Sequence, residues 1–119
     1  MDINKITLFL RQFAAERNWE QFHTPKNLVM ALSGEAGELT ELFQWLTAGE
    51  SDAVMNEPAS AERVRDEVAD ILLYCLRLAD VLKIDVEAVV WSKLQKNAAK
   101  YPVHLARGTA AKYTDLPKE

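Results

Sequence analysis

The chain has 119 residues, of which 49% are hydrophobic, and its formal net charge is −4. A chain of this length suits one domain, and because it is short we expect it to bury more surface by associating with other copies of itself. The negative charge and the absence of a lysine- or arginine-rich cluster exclude a surface for duplex nucleic acid.

The first predicted helix covers residues 3–17, where apolar residues recur at helical spacing and Asp2 is a suitable N-cap. A connector over residues 18–24 follows this helix. It is unusually aromatic for a solvated loop, because it carries Trp19 and Phe22 as well as His23.

The second predicted helix begins at Pro25, which suits the first helical position, with Thr24 as its N-cap. We expect the helix to end near residues 48–49, with Gly49 as the C-cap. Its predicted buried stripe consists of Leu28, Leu32, Leu39, Leu42 and Leu46.

A polar loop is predicted over residues 50–59, and Ser60 is the expected N-cap of a third helix that reaches about Lys83. The predicted apolar stripe of this helix consists of Val64, Val68, Ile71, Cys75, Leu78 and Leu82.

The fourth predicted helix covers residues 86–100, with Asp85 as its N-cap and Pro102 preventing its continuation. An irregular tail is expected from about residue 103. Two long central helices and two flanking ones predict an all-α fold of the four-helix-bundle type. We expect a single domain over residues 1–119.

The chain has one cysteine, Cys75, which excludes an intrachain disulfide and is predicted to be a core residue. The first nine residues, MDINKITLF, lack the features of a signal peptide. The longest apolar run, residues 71–76, is far shorter than a membrane span. We therefore expect a soluble cytoplasmic protein with no membrane partner.

Two acidic pairs are the informative feature: Glu35 with Glu38 on the second predicted helix, and Glu67 with Asp70 on the third. Residues three apart share a helix face, but 18 acidic residues in one chain produce such pairs by chance. Their position around the helix says more. At about 100° per residue, Glu35 falls within the leucine stripe and Glu38 at its edge, while Glu67 and Asp70 fall beside the apolar stripe of their helix.

A carboxylate in an apolar stripe is costly unless it is protonated, paired with a cation or bound to a metal. Arg63 and Arg77 are too few to pair with four acids, whereas hard divalent cations suit them. The all-oxygen ligands favour Mg²⁺, with Mn²⁺ as a substitute, and His23 and His104 lack the spacing for zinc or di-iron. Because Mg²⁺ commonly bridges to phosphate oxygens, a phosphorylated substrate is expected. The alternative is a solvated acidic rim without a metal.

Four segments of the sequence add to the pattern of the acids, and the first of them contains Glu35 and Glu38. They are GEAGELTELFQW at residues 34–45, AERNWEQFH at 15–23, YPVH at 101–104 and KYTDLP at 112–117. Taken in order along nearly the whole chain, these segments resemble the MazG-like family of all-α nucleoside triphosphate pyrophosphohydrolases, and within it the dCTP pyrophosphatase branch.

The resemblance implies hydrolysis of a deoxynucleoside triphosphate, most of all dCTP or a modified dCTP, to the monophosphate and pyrophosphate. It implies Mg²⁺ on all four acids and a homotetramer with active sites between chains. The substrate contacts it implies come from Trp19, Phe22, His23, Trp45 and Tyr74. Vertebrate relatives carry a substrate-contacting histidine where this sequence has Leu10, so the base preference stays open.

Glu38 is the expected water-activating acid, because solvent reaches the edge of the stripe, and Glu35 is the second expected catalytic acid. The resemblance also favours Lys93 and Asn97 on the fourth helix as ligands of the outer phosphates. Two alternatives stay open: a pyrophosphohydrolase for another nucleotide such as dUTP, and a non-enzymatic helical interaction module.

Overall fold

A computed structural model describes residues 1–118, and within this part the chain is helical and contains no strand. The predicted all-α class is therefore confirmed. None of the helices in the described part is both long and apolar enough to cross a membrane. The α-helices are α1 (Ile3–Glu16), α2 (Pro25–Phe43), α3 (Ala48–Asp52), α4 (Pro58–Val81), α5 (Val86–Lys100) and α6 (Val103–Ala106). Short 3₁₀ turns lie at Glu20–Phe22, Val54–Asn56 and Tyr113–Asp115.

Three of the predicted N-caps are confirmed. The backbone amide three residues further along donates to the side chain of Asp2 at 3.0 Å, of Thr24 at 3.2 Å and of Asp85 at 3.1 Å. Each bond satisfies one of the amides that the first turn of a helix leaves without an intrahelical partner. These caps explain why α1, α2 and α5 begin where the sequence predicts.

The end of the second helix was predicted too late, because α2 stops at Phe43 and a capping box at Thr47 begins α3. Thr47 Oγ1 accepts from the Glu50 amide at 3.1 Å, and Glu50 Oε1 accepts from the Thr47 amide at 2.9 Å. Thr47 has an extended backbone, which cannot continue α2. Gly49 therefore lies inside α3 rather than at a C-cap, and Leu46 lies outside α2.

The predicted cap at Ser60 is also wrong. Helix α4 begins at Pro58 with Glu57 in the N-cap position, and the Ser60 hydroxyl donates to Glu57 Oε2 at 2.8 Å. Proline suits the first turn of a helix because it has no amide hydrogen to leave unpaired, as at Pro25. The predicted loop before α4 contains α3 and a 3₁₀ turn, and the predicted irregular tail contains α6 and another turn.

The chain divides into two compact units, Met1–Ile84 and the residues from Asp85 onward. In the first unit α1 and α2 each pack against α4, and its buried apolar residues are Ala14, Leu28, Ala61, Leu76 and Ala79. In the second unit the rings of Tyr101 and Tyr113 meet edge-on, with their centroids 6.3 Å apart. The expectation of a single domain stays a prediction.

The apolar stripe predicted for the third helix is only partly buried. Cys75 is exposed, so its prediction as a core residue is wrong, and Val68 and Leu82 are 43% and 47% exposed. Leu76 and Ala79 are buried instead. Because α4 is apolar on more than one side, helical spacing alone does not identify the side that faces α1 and α2.

Candidate metal and substrate site

Three of the four predicted acids converge between α2 and α4. One carboxylate oxygen from each of Glu35, Glu38 and Glu67 lies within 4.8 Å of the other two. Glu35 and Glu38 are neighbours on one face of α2 because they are three residues apart. Packing of α4 against α2 brings Glu67 to the same place.

Two carboxylate oxygens of this cluster are buried without a hydrogen bond from the described residues. Oε2 of Glu35 and Oε2 of Glu67 are buried and have no hydrogen-bond partner among the described residues. No lysine, arginine or histidine of residues 1–118 forms an ion pair with the three acids. Glu38 is exposed. Since unpaired buried carboxylate oxygens are costly, this arrangement calls for a proton or a bound cation.

The pKa of Glu67 is raised above its usual value. The first cause is the neighbouring Glu35 carboxyl, which favours a proton on one of the two acids, and the second is loss of contact with water. A divalent cation reverses this preference, because it favours the ionised form of every carboxylate around it. The cluster therefore fits a hard divalent cation bound through oxygen ligands.

Asp70 lies next to this cluster and is not among the three converging acids. It is half-buried on α4, three residues after Glu67, and its charge contributes to the raised pKa of Glu67. Its side chain lines a neighbouring cleft. The structure thus brings three of the four predicted ligands together, and the role of Asp70 as a ligand stays a prediction.

The cleft has a volume of about 390 Å³ and belongs to the first unit of the chain. Helix α1, the connector after it and α4 all contribute to its lining. Its apolar wall includes Leu10, Phe13, Trp19, Leu73 and Tyr74, and its polar groups are His23, Asp70 and Arg77. A mostly apolar cleft with few, convergent polar groups is typical of a small-molecule site.

Trp19, His23 and Tyr74, three of the predicted substrate contacts, therefore line one cleft. The ring of Trp19 meets the ring of Phe13 edge-on at a centroid distance of 5.8 Å and that of His23 at 6.3 Å. Trp19 is still 43% exposed. It thus combines a fixed orientation with free surface against which a flat ring could stack.

Four further predicted substrate contacts are divided between the two units of the chain. Phe22 and Trp45 do not line the cleft, and they are 59% and 86% exposed. Lys93 is exposed and Asn97 half-buried on α5, which belongs to the second unit. The substrate roles of these four residues stay predictions.

Arg77 also lines the cleft, although the sequence analysis did not predict it as a site residue. It is only 8% exposed, and its Nε donates to His23 Nδ1 at 3.0 Å. Its Nη1 donates to Asp80 Oδ2 at 3.2 Å, and Arg11 from α1 binds both oxygens of Asp80, at 2.6 and 3.0 Å. The sequence indicates this network only through the three-residue spacing of Arg77 and Asp80. That spacing is equally typical of an ion pair on the solvated face of a helix, so it does not predict burial.

Two pKa values in this network are lowered. Hydrogen bonding to Arg11 lowers the pKa of Asp80, and the charges of Arg11 and Arg77 act in the same sense. Burial lowers the pKa of His23, and the neighbouring charge of Arg77 lowers it further. Both shifts favour the same charge states, the ionised form of Asp80 and the neutral form of His23.

Comparison with known proteins identifies the family of the chain. Residues 30–116 match the model of the MazG-like family. The rat protein named dCTP pyrophosphatase 1 is 49% identical over 107 residues, 90% of this chain, and its human counterpart is 48% identical over 106 residues, 89% of this chain. The chain spans 63% of the length of the rat protein and 62% of the human one.

A solved structure of a pyrophosphatase from Archaeoglobus fulgidus is similar with a TM-score of 0.79 and 38% sequence identity. The match covers 86% of this chain and 94% of that one. The resemblance seen in the sequence segments and the MazG-like, all-α fold are both confirmed. The chain belongs to the MazG-like family.

Proposed function

We propose that this chain is a Mg²⁺-dependent nucleoside triphosphate pyrophosphohydrolase that converts dCTP, or a modified dCTP, to the monophosphate and pyrophosphate. The observation that carries the proposal is the pair of buried carboxylate oxygens on Glu35 and Glu67 that have no hydrogen-bond partner within residues 1–118. Asp70, three residues from Glu67, extends this acidic region into an aromatic cleft. The similarity to proteins named dCTP pyrophosphatase 1 supports cytosine as the base.

The metal ligands in this proposal are Glu35, Glu38, Glu67 and Asp70. Mg²⁺ is preferred and Mn²⁺ is a substitute, because both favour carboxylate and phosphate oxygens. When bound, the ion would neutralise the triphosphate and hold its oxygens in place.

Glu38 is the proposed general base, because it is the exposed acid of the cluster and can reach an incoming water molecule. The water oxygen forms a bond to the α-phosphorus while its proton passes to Glu38. The bond from the α-phosphorus to the oxygen bridging to the β-phosphorus breaks, and pyrophosphate leaves. Glu35, partly buried beside Glu38, is the second catalytic acid and keeps the cluster negative.

The base of the nucleotide is proposed to occupy the cleft. Trp19 and Tyr74 would offer ring faces for stacking, and His23 a hydrogen bond to the base edge. The further contacts proposed from the resemblance are Phe22 and Trp45 for the nucleoside, and Lys93 and Asn97 for the outer phosphates.

The proposed working form is a homotetramer in the cytoplasm. Val90, Trp91 and Leu94 share one face of α5 and are 49%, 61% and 50% exposed, which is unusual for large apolar residues grouped on a helix. A second copy of the chain is the expected cover for such a face. A single cysteine without a disulfide partner is compatible with a reducing compartment.

The test is pyrophosphate release from dATP, dGTP, dTTP, dCTP, 5-methyl-dCTP and dUTP, each with Mg²⁺ and with excess EDTA. We expect the cytosine nucleotides to react fastest and only with the metal. A clear preference for dUTP would assign the cleft to another base. No release from any nucleotide, together with no Mg²⁺-dependent thermal shift, would favour a helical interaction module.

A further inference from the structure

Arg77 is a buried cation whose side chain is fixed on two sides. Its Nη1 donates to Asp80 Oδ2 at 3.2 Å, and Arg11 binds both oxygens of the same carboxylate. The side chains of Arg77 and Asp80 are only 9% and 14% exposed. The guanidinium is therefore held rigidly, and it directs its Nε hydrogen at His23 Nδ1 at 3.0 Å.

This contact determines where His23 carries its hydrogen. Arginine stays protonated at all accessible pH values and can only donate. The Nδ1 atom that accepts from Arg77 must therefore carry no hydrogen, and a neutral imidazole of this kind has its hydrogen on Nε2. The ring then acts as a donor at Nε2, for which no bond is found among residues 1–118.

We propose that Arg77 is a positioning residue that holds His23 in the Nε2–H tautomer, so that His23 donates a hydrogen bond to an acceptor atom of the bound base. Both side chains line the aromatic cleft together with Trp19 and Tyr74. Cytosine offers the acceptors N3 and O2, which match a donor at this position. The proposal rests on the proposed function, because it takes the base to be the occupant of the cleft.

The tautomer is measured directly by long-range ¹H–¹⁵N correlation NMR of the full, metal-free chain. The chain has two histidines, so His104→Gln assigns the remaining signals to His23. We expect a bare Nδ1 and a protonated Nε2 at neutral pH in the wild type, and a mixture of tautomers in Arg77→Met. A protonated Nδ1 or mixed tautomers in the wild type would overturn the proposal. The wild-type spectrum needs no variant at position 77, so it tests the proposed tautomer of His23 even if Arg77→Met folds poorly.

The second readout is steady-state kinetics with dCTP. Loss of one hydrogen bond predicts a rise of about three- to ten-fold in KM for Arg77→Met, with kcat changed much less. Arg65→Met, which replaces an exposed arginine on the same helix, should leave both constants unchanged. In a His23→Ala background Arg77→Met should have no further effect on KM, because Arg77 acts through the ring. An equal rise in KM for Arg77→Met in the wild-type and His23→Ala backgrounds would show that Arg77 does not act through His23.

The two proposals fail in different ways. If the wild type hydrolyses dCTP while His23 Nδ1 is protonated, only the role of Arg77 is disproved. If no nucleotide is hydrolysed or bound, the proposed function is disproved, and the donor role of His23 toward a base is disproved with it.

Discussion

A carboxylate oxygen of Glu35 on α2 lies within 4.8 Å of a carboxylate oxygen of Glu67 on α4, and each side chain has a buried Oε2 without a hydrogen-bond partner in the described part of the chain. Two acids this close destabilise each other unless a proton or a cation lies between them. The packing of α2 against α4 therefore creates a place where a cation is favoured.

Replacing one acid of this pair should separate metal binding from folding. In Glu67→Gln we expect a higher melting temperature than wild type without metal, because the repulsion from Glu35 is removed. We also expect the stabilisation by Mg²⁺ to be lost, because a ligand is missing. Thermal denaturation in EDTA and in Mg²⁺ measures both effects.

The matched control is Glu62→Gln, which removes an exposed acid from the same helix and should behave like the wild type. A Glu67→Gln variant that is still stabilised by Mg²⁺ as strongly as the wild type would exclude Glu67 as a ligand.

Glu38 is predicted to contribute far more to turnover than to nucleotide binding. Glu38→Gln keeps the shape of the side chain and removes the base, so turnover of dCTP should fall on the order of 10²- to 10⁴-fold. Calorimetric affinity for a non-hydrolysable dCTP analogue should fall much less than turnover does, because the three other proposed metal ligands and the cleft are unchanged. Glu41→Gln, an exposed acid three residues further on α2, is the control. Turnover at the wild-type rate in Glu38→Gln would disprove this role.

Asp80 is predicted to stabilise the fold by compensating a buried cation. Asp80→Asn leaves Arg77 without its carboxylate partner and should lower the free energy of unfolding by about 2 kcal/mol at neutral pH. Urea denaturation measures the loss. Asp66→Asn, an exposed acid on the same helix, should change stability much less.

The contribution of Asp80 should also depend on pH. Because hydrogen bonding to Arg11 holds the pKa of Asp80 below its usual range in the folded state, the contribution is complete at neutral pH. It is lost as the pH falls below about 4 towards the folded-state pKa. The difference between wild type and Asp80→Asn should therefore shrink in acid. An equal difference at neutral and at strongly acidic pH would contradict this account.

Trp91 is predicted to lie in an interface between copies of the chain. It is 61% exposed on a face of α5 that also carries Val90 and Leu94. Light scattering after size exclusion should give a tetramer for the wild type and a smaller species for Trp91→Glu. Lys96→Glu, which changes an exposed polar residue of α5, should remain tetrameric. A monomeric wild type at micromolar concentration would rule out the proposed assembly.

Local features of the helices could be read from the sequence, because the interactions behind them span only three or four residues. The caps at Asp2, Thr24 and Asp85 are of this kind. The capping box at Thr47 and Glu50 is equally local, but the leucine spacing that continues to Leu46 favoured a longer helix. Two local signals competed there, and the sequence alone did not decide between them.

The site was predictable only where a single helix face determines it. Glu35 is partly buried because it shares the leucine face of α2, and that much follows from spacing. The position of Asp70 in the cleft and the burial of Arg77 depend on how α1 packs against α4. Such contacts join residues that are far apart in the chain, like Arg11 and Asp80. The periodicity of a single helix therefore cannot predict them.

The most direct test of the central claim is the identity of the products when dCTP is incubated with the chain and Mg²⁺, followed by ³¹P NMR. An acidic cluster that directs water to the α-phosphorus predicts dCMP and pyrophosphate in equal amounts, and neither product when EDTA is added. Formation of dCDP and phosphate, or an unchanged rate in EDTA, would contradict it.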